Sequence, residues 1–228
     1  MQNLDLNLEL EYIFIPSKVP SKKLMIILHG RGDSSEGFRG FPPFLNLDDM
    51  NYILFDAPFE YFTGFSWYQL PPEQLPGIEY SSRLLTHDLD ALFEEKFNAQ
   101  ESFLFGFSQG SLLTFEFGAR YHKVLAGYIA ISGYIYDAPR LLEEMNQDVQ
   151  KGKWLCTHGT DDGVLPYNTS KEQVAFLKDG GFDIEFITYD KDHTIVEEEL
   201  RMIASWVKVY SFFLETLYTK EKTSATAL

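Results

Sequence analysis

The residues best suited to covalent chemistry lie in the stretch Gly106-Phe-Ser108-Gln-Gly110. An apolar run, Ser102–Phe107, leads directly into it, and a pattern of helical period, Gly110–Tyr121, begins directly after it. A G-x-S-x-G sequence between a strand and a helix predicts a sharp turn that lifts the serine hydroxyl above the sheet edge. The glycines fit that turn, because a Cβ at either place would collide with the neighbouring strand or helix. Ser108 is therefore the predicted nucleophile, and it needs a base to take its proton.

Histidine is the side chain that most often serves as this base, and the chain has five of them. His87 and His122 lie within helical patterns, and His29 and His158 each precede a glycine at the end of an apolar run. His193 alone follows the last predicted strand and precedes the last predicted helix. A base that faces the serine turn belongs in that loop, so His193 is the predicted base.

An acid that orients the histidine should follow the preceding strand. The segment Thr157–Pro166 has two adjacent candidates there, Asp161 and Asp162. A carboxylate at either position would hold the imidazole in place and stabilise its protonated form. Residue order alone leaves both open.

Two backbone N–H groups are expected to bind the oxyanion that forms when a serine attacks a carbonyl. One is the N–H of Gln109, directly after the nucleophile. The other should come from the glycine-rich loop that follows the first buried strand. The N–H of Arg31 is the candidate, because Gly30 allows the backbone to turn inward.

Hydrophobic periodicity predicts the elements that would position these groups. Leu4–Ile15 alternates polar and apolar residues, which predicts an antiparallel edge strand. Continuous apolar runs predict buried strands at Lys23–His29, Asn51–Asp56, Ser102–Phe107, Ala126–Ser132, Lys153–Thr157 and Asp183–Tyr189. Helical patterns cover Ser82–Phe97, Gly110–Tyr121, Asn168–Lys178 and Glu197–Leu214. This alternation predicts a mostly parallel α/β sheet. The stretch Phe59–Gly77 is expected to be irregular.

Length and composition predict one domain over residues 1–228, with a flexible tail from about residue 219 to 228. Cys156 is the single cysteine, which together with an acidic N-terminal stretch predicts a reducing, cytoplasmic environment. The formal charge of −15 disfavours nucleic acids and anionic bilayers as partners. The sequence has no apolar run long enough to predict membrane insertion, and no ligand spacing that predicts a metal site. It does not predict an oligomeric state.

Taken together, these stretches resemble the phospholipase/carboxylesterase family of α/β-hydrolases, which includes the acyl-protein thioesterases. The resemblance runs from about Lys22 to Lys208. The pieces that carry it are LHGRGD at 28–33, APF at 57–59, SWY at 66–68, GFSQG at 106–110, HGTDDGVLP at 158–166 and the isolated His193. It implies a mostly parallel central sheet with helices on both faces and no large lid. It also implies that Asp162 rather than Asp161 is the acid, and that no cofactor is needed.

The sequence departs from the family pattern at Gln69, Ser111 and Asp192, where the family usually has Asp, Gly and Gly. None of these changes removes a predicted catalytic group, but they weaken any inference of the substrate. The resemblance implies hydrolysis of carboxylic esters or thioesters through an acyl-enzyme. The alternatives are a serine peptidase or lactone hydrolase on the same fold, and a binding protein that keeps the fold without turnover.

Two groups of residues are candidates for substrate binding. Aromatic side chains in the stretch 59–77 could line an apolar acyl groove beside the serine, and Trp67 is the predicted lining residue. The alternative is that most of these rings simply pack against the sheet and do not contact a substrate. Arg31 and Arg39 could meet an anionic substrate group, although surface arginines more often form ion pairs.

Overall fold

The computed structural model describes residues 4–150 and 152–225, with side chains described to residue 211 except at residue 150. In chain order the strands are β1 Tyr12–Ile15, β2 Leu24–Leu28, β3 Asn51–Phe55, β4 Phe59–Tyr61, β5 Gly64–Ser66, β6 Phe103–Phe107, β7 Gly127–Ile131, β8 Lys153–Gly159 and β9 Asp183–Tyr189. The helices are α1 Phe41–Leu45, α2 Gln74–Glu95, α3 Gln109–Glu116, α4 Ala138–Glu144, α5 Gln147–Gln150, α6 Tyr167–Asp179 and α7 Glu197–Ala225. Short 3-10 turns occupy Ser35–Phe38 and Ala99–Glu101.

Seven strands form one sheet in the order β1-β3-β2-β6-β7-β8-β9. Strand β1 pairs antiparallel with β3, and every other pair in this sheet is parallel. The predicted strands are confirmed, because each apolar run coincides with a parallel strand, but Asp183–Tyr189 is not buried as predicted. It forms β9 at the edge of the sheet, where only Ile184 is buried. All residues of β2, β3 and β7 are buried, as expected for strands covered on both faces.

Helices cover both faces of the sheet, as the α/β-hydrolase resemblance implies. On one face, apolar side chains of α2, α3 and α6 pack against the strands. On the other face, α1 and α7 cover the sheet with residues such as Leu45, Ile203 and Val207. Because all strands of this sheet except β1 run parallel, their carboxyl ends meet at one edge of the sheet. A ligand or active site is expected at that edge.

The N-terminal strand is shorter than predicted, because residues 4–10 do not pair with the sheet and Glu11 only accepts the Asp56 N–H at 2.9 Å. The N–H groups of Glu9 and Leu10 donate instead to the buried carboxylate of Asp88 on α2, at 2.7 and 2.9 Å. This side-chain acceptor replaces the acceptors that a neighbouring strand would supply, so β1 begins only at Tyr12.

The stretch 59–77 is more regular than expected. It contains the β4–β5 hairpin, and helix α2 begins at Gln74, eight residues before the predicted start at Ser82. Pro76 lies in the first turn of α2, where a residue without an N–H costs no hydrogen bond, so this proline does not end the helix.

Helix α7 continues through residues 219–225, and residues 226–228 lie outside the described residues. The flexible tail expected over 219–228 stays a prediction.

Candidate active site

Ser108 lies in a strained turn between β6 and α3. Its φ is 54° and its ψ is −111°, a left-handed backbone that a non-glycine residue adopts only when its surroundings enforce it. The Ser108 N–H donates to Ile131 O of the neighbouring strand at 3.0 Å. A Cβ at Gly106 would collide with the Gly110 carbonyl, and a Cβ at Gly110 would collide with Leu28 O on β2. The predicted glycine requirement at both positions is therefore confirmed.

Three side chains from three different loops meet at this turn. Ser108 Oγ lies 2.9 Å from His193 Nε2, and His193 Nδ1 lies 2.7 Å from Asp162 Oδ2. Because a carboxylate only accepts hydrogen bonds, the proton of the neutral imidazole belongs on Nδ1. That leaves the Nε2 lone pair free to accept the proton of the Ser108 hydroxyl. The three groups thus form a continuous hydrogen-bonded chain.

The two adjacent aspartates have different surroundings. Asp162 is 7 % exposed, and its Oδ1 accepts the N–H groups of Val164 and Leu165 at 2.9 and 2.8 Å. Burial opposes its ionisation, but the hydrogen bonds from Leu165 N–H and His193 outweigh burial and hold the pKa of Asp162 below its ordinary value. Asp161 is exposed, and the neighbouring Asp190 carboxyl raises the pKa of Asp161. The structure therefore places Asp162, and not Asp161, on the imidazole.

The two residues predicted to supply the oxyanion donors, Arg31 and Gln109, line the same cavity as Ser108. Within the described residues, the backbone N–H groups of Arg31 and Gln109 have no hydrogen-bond acceptor. Gln109 is the first residue of α3, where the helix itself provides no acceptor. Both N–H groups are thus free to bind an oxyanion.

The Arg31 loop is fixed by contacts that the sequence did not predict. Its neighbour Gly32 donates its N–H to Phe65 O of β5 at 2.7 Å, and the Phe65 N–H donates to Asp33 O at 2.9 Å. The buried His29 donates through Nδ1 to Gly30 O at 2.6 Å and accepts the Ala57 N–H at Nε2, at 3.1 Å. Burial lowers the pKa of His29, which favours the neutral ring that this pairing requires.

The turn at Ser108 between β6 and α3 is called the elbow below. The side chain of Gln109 joins this elbow to the segment that follows β5. Its Oε1 accepts the Trp67 N–H at 2.9 Å, and its Nε2 donates to Tyr68 O at 2.8 Å. The sequence predicted a role for the backbone N–H of Gln109 only. The one available signal was its polar side chain at the start of an otherwise apolar helix.

The loop that bears His193 is held by a buried ion pair. Lys191 Nζ lies 2.6 and 2.7 Å from the two carboxylate oxygens of Glu199 on α7, and it also donates to Thr194 O at 2.7 Å. The two side chains are 2 % and 0 % exposed. The Phe107 ring packs against the imidazole with centroids 5.1 Å apart. The sequence did not predict this pair, because a lysine in a loop and a glutamate at a helix start are usually exposed.

A cavity of about 510 Å³ opens beside Ser108 and His193. This volume lies within the range of small-molecule sites. Its wall is mostly apolar and aromatic, with Tyr61, Tyr68, Leu70, Pro71, Tyr134, Val164, Leu165 and Pro166. Leu70 and Val164 are more than half exposed, at 52 % and 65 %, so they lie at the entrance.

Trp67 does not line this cavity, so the prediction that it forms the acyl groove is wrong. Its side chain is fully buried, and its indole Nε1 donates to His29 O at 2.9 Å. The ring therefore packs under the oxyanion loop. Neighbouring Tyr61 and Tyr68 line the cavity in its place. Arg39 does not line the cavity either; it is exposed and pairs with Glu36 at 2.7 Å.

Neither a metal site nor a membrane-spanning helix is found among the described residues. Over the part of the chain that the structure describes, no three histidine, cysteine, aspartate or glutamate side chains cluster to hold a metal ion. Within residues 4–150 and 152–225, no helix combines the length and apolar character that crossing a bilayer requires.

A mostly parallel sheet with a serine elbow and a Ser, Asp, His order along the chain defines an α/β-hydrolase. Comparison with known families agrees, since the phospholipase/carboxylesterase model matches residues 11–211. The chain therefore belongs to the phospholipase/carboxylesterase family, whose name denotes hydrolases of carboxylic esters.

Individual relatives support this assignment. The chain is 28 % identical to carboxylesterase SOBER1 of Arabidopsis thaliana over 82 % of this chain and 90 % of the relative. It is 27 % identical to acyl-protein thioesterase 1 of Debaryomyces hansenii, over 79 % of this chain and 88 % of that protein. Among solved structures, esterase PE8 superposes with a TM-score of 0.80 at 25 % identity, covering 89 % of this chain and 100 % of the other.

Proposed function

We propose that this protein is a serine hydrolase that cleaves carboxylic esters or thioesters through an acyl-enzyme on Ser108. The observation that carries the proposal is the hydrogen-bonded chain from Ser108 Oγ through His193 to Asp162, with distances of 2.9 and 2.7 Å. These distances suit proton transfer without any rearrangement of the three side chains.

In acylation, His193 Nε2 takes the hydroxyl proton as Ser108 Oγ attacks the carbonyl carbon. The carbonyl π electrons move to oxygen, and the N–H groups of Arg31 and Gln109 bind the resulting oxyanion. Each such donor contributes roughly 3–4 kcal/mol of barrier reduction in well-studied hydrolases. The tetrahedral intermediate then collapses, and His193 gives its proton to the departing alcohol or thiol. Asp162 stays ionised and stabilises the imidazolium throughout.

Deacylation repeats these steps with water. His193 Nε2 takes a proton from a water molecule while the water oxygen attacks the acyl carbon. Collapse of the second intermediate breaks the bond to Ser108 Oγ, which recovers its proton from the imidazolium. The products are a carboxylic acid and the free enzyme, and the reaction consumes one water.

The cavity supports an acyl group as the part of the substrate that is bound beside the serine. Its apolar wall, which includes Leu70, Val164 and Leu165, suits a hydrocarbon chain better than a polar peptide. The same wall accepts an oxygen ester or a thioester, since both share the acyl group. We place the reaction in a reducing compartment, because the buried Cys156 is a free thiol.

A fluorophosphonate probe and two alanine variants test the nucleophile. Ser108→Ala should abolish labelling and lower kcat on p-nitrophenyl esters and acyl thioesters by roughly 10⁴–10⁶. Ser111→Ala is the matched control. It lies three residues further along the same helix, and its buried hydroxyl has no hydrogen-bond partner among the described residues. It should keep both labelling and turnover.

Either of two results would refute the proposed mechanism. If Ser108→Ala kept a tenth of the wild-type rate, or if the wild-type protein neither reacted with the probe nor turned over any ester, the chain would not be a serine hydrolase acting through Ser108. Rapid cleavage of peptides or lactones with no ester turnover would instead favour the peptidase or lactonase alternative.

A further inference from the structure

The cavity beside Ser108 contains a cation but no acid. Of the described residues that line it, Arg31 alone carries a permanent charge, and none is an aspartate or glutamate. This is unusual in a chain with 34 acidic and 19 basic residues. A net charge of −15 disfavours the approach of any anion, so a local cation is needed wherever an anion is to bind.

Among the described residues, the guanidinium of Arg31 has no carboxylate partner. Within the described part of the chain no carboxylate lies at ion-pair distance from it, and its buried Nε has no hydrogen-bond acceptor. Four of the other five arginines are paired with glutamates: Arg39, Arg120, Arg140 and Arg201. The fifth, Arg83, is exposed and lies over the Tyr80 ring. A buried donor without an acceptor costs free energy, and a ligand that supplies the acceptor recovers it.

The orientation of this guanidinium suits an anion that presents two oxygens side by side. Its Cζ lies 4.0 Å from the centroid of the Tyr61 ring, so the group stacks on the aromatic face. Stacking uses the face of the guanidinium and leaves its in-plane N–H groups available. Those donors match the oxygens of a carboxylate or a phosphate, in a two-pronged arrangement.

We propose that Arg31 is a specificity-determining residue, which binds a carboxylate or phosphate of the substrate close to the scissile carbonyl. The inference rests on the proposed function, because it concerns the same cavity and the same serine. The backbone N–H of Arg31 is an oxyanion donor and therefore lies beside the scissile carbonyl. The length of the arginine side chain then limits how far the guanidinium can lie from that carbonyl. The preferred substrates are therefore short esters or thioesters with an anionic group a few bonds from the reacting carbon.

Two pairs of substrates separate the possible sources of the anion. Monoethyl glutarate and ethyl pentanoate have acyl chains of equal length, with and without a terminal carboxylate. The second pair, 1-acetylglycerol 3-phosphate and 1-acetylglycerol, differs by a phosphate on the alcohol side. For each pair the measured quantity is the ratio of kcat/KM for the anionic substrate to that for the neutral one.

The ratio is compared in the wild type, Arg31→Leu, Arg31→Lys and Arg39→Leu. In at least one pair, Arg31→Leu should lower it about tenfold or more, the effect expected of a charge-assisted hydrogen bond. Arg31→Lys should give an intermediate ratio, because it keeps the charge but not the planar fork. The exposed Arg39 is the matched control, and its replacement should leave both ratios unchanged. The pair that responds identifies the side of the substrate that carries the anion.

An unchanged ratio in both pairs for Arg31→Leu overturns the inference. If that variant fails to fold, the wild type alone decides, because the ratio should fall in 0.5 M NaCl when a charge contact creates it. A ratio independent of salt then overturns the inference. Ser108→Ala distinguishes the two proposals: if it abolishes turnover of both pairs while Arg31→Leu leaves the ratios intact, only the role of Arg31 is wrong.

Discussion

Replacement of Asp162 by asparagine should disable the histidine without changing its position. In the wild type, Asp162 Oδ1 accepts two backbone N–H groups, from Val164 and Leu165, while Oδ2 accepts His193 Nδ1–H. An asparagine NH₂ in the Oδ1 position would face two donors. The amide oxygen is therefore expected at Oδ1, and the NH₂ at Oδ2, opposite the imidazole.

That orientation forces the wrong tautomer. An NH₂ group that faces His193 Nδ1 requires a lone pair on Nδ1, so the ring proton moves to Nε2. Nε2 lies 2.9 Å from Ser108 Oγ and would then present a proton where it must accept one. The loss in kcat should reach roughly 10⁴, a barrier increase of about 5 kcal/mol. KM should change little, because Asp162 does not line the cavity.

Asp161→Asn is the matched control for this variant. It changes the adjacent residue in the same way, but its exposed side chain does not contact the imidazole. It should keep at least about a tenth of the wild-type rate, a change within about 1.4 kcal/mol. Steady-state kinetics on p-nitrophenyl butyrate, with thermal melts to verify folding, measure both variants. The reasoning is refuted if Asp161→Asn is the inactive one, or if Asp162→Asn keeps a tenth of the rate.

Asp162→Asn should also change how the melting temperature depends on pH. Hydrogen bonds hold the pKa of Asp162 below its ordinary value of about 3.9 in the folded state. Its contribution to stability is therefore complete above that value, and it is lost as the pH falls through the lowered folded pKa. Between pH 5 and 2 the melting temperature of the wild type should fall more than that of Asp162→Asn. Equal losses would mean that this carboxylate is not stabilised by the fold.

Three further predictions follow from buried or exposed side chains. Lys191→Met leaves the Glu199 carboxylate buried without its partner and should lower the free energy of unfolding by about 3–5 kcal/mol, measured in urea; the double variant with Glu199→Leu should recover most of this loss. Leu70→Ala should raise KM for octanoate esters more than for acetate esters, since Leu70 lies at the cavity entrance, whereas the exposed Phe44→Ala should affect neither. Burial raises the pKa of Cys156 to about 12, so iodoacetamide at pH 8 should alkylate it, as read by mass spectrometry, only after unfolding.

The parts of the fold that the sequence predicted are those governed by hydrophobic burial. A run such as Leu24–Leu28 has no polar position, so it must be covered on both faces, and alternation of such runs with helices fixes a parallel sheet. The positions of Ser108 and His193 follow from this order, since each lies where a strand ends. Choosing Asp162 over Asp161 required the family motif, because one residue in a turn decides which carboxylate is buried.

The parts that the sequence did not predict depend on polar groups that the fold buries. Asp88 has the sequence context of a surface helix residue, yet it is fully buried and binds the N-terminal backbone. Trp67 has the context of a loop aromatic, yet its indole N–H binds His29 O beneath the site. In both cases the deciding partner lies more than 30 residues away in the chain, so no local pattern could reveal it.

Buried polar contacts also explain how loops, rather than rigid strands, can hold a catalytic chain at hydrogen-bond distance. Three loops around the site are each held by a buried polar side chain. Gln109 holds the elbow, His29 holds the oxyanion loop, and the pair of Lys191 and Glu199 holds the histidine loop. An unpaired polar group in these places would cost several kcal/mol, so a shift of any loop breaks contacts that water cannot replace. The penalty for leaving the aligned state therefore exceeds that of an ordinary surface loop. This is why the serine, histidine and aspartate lie within hydrogen-bond distance of one another.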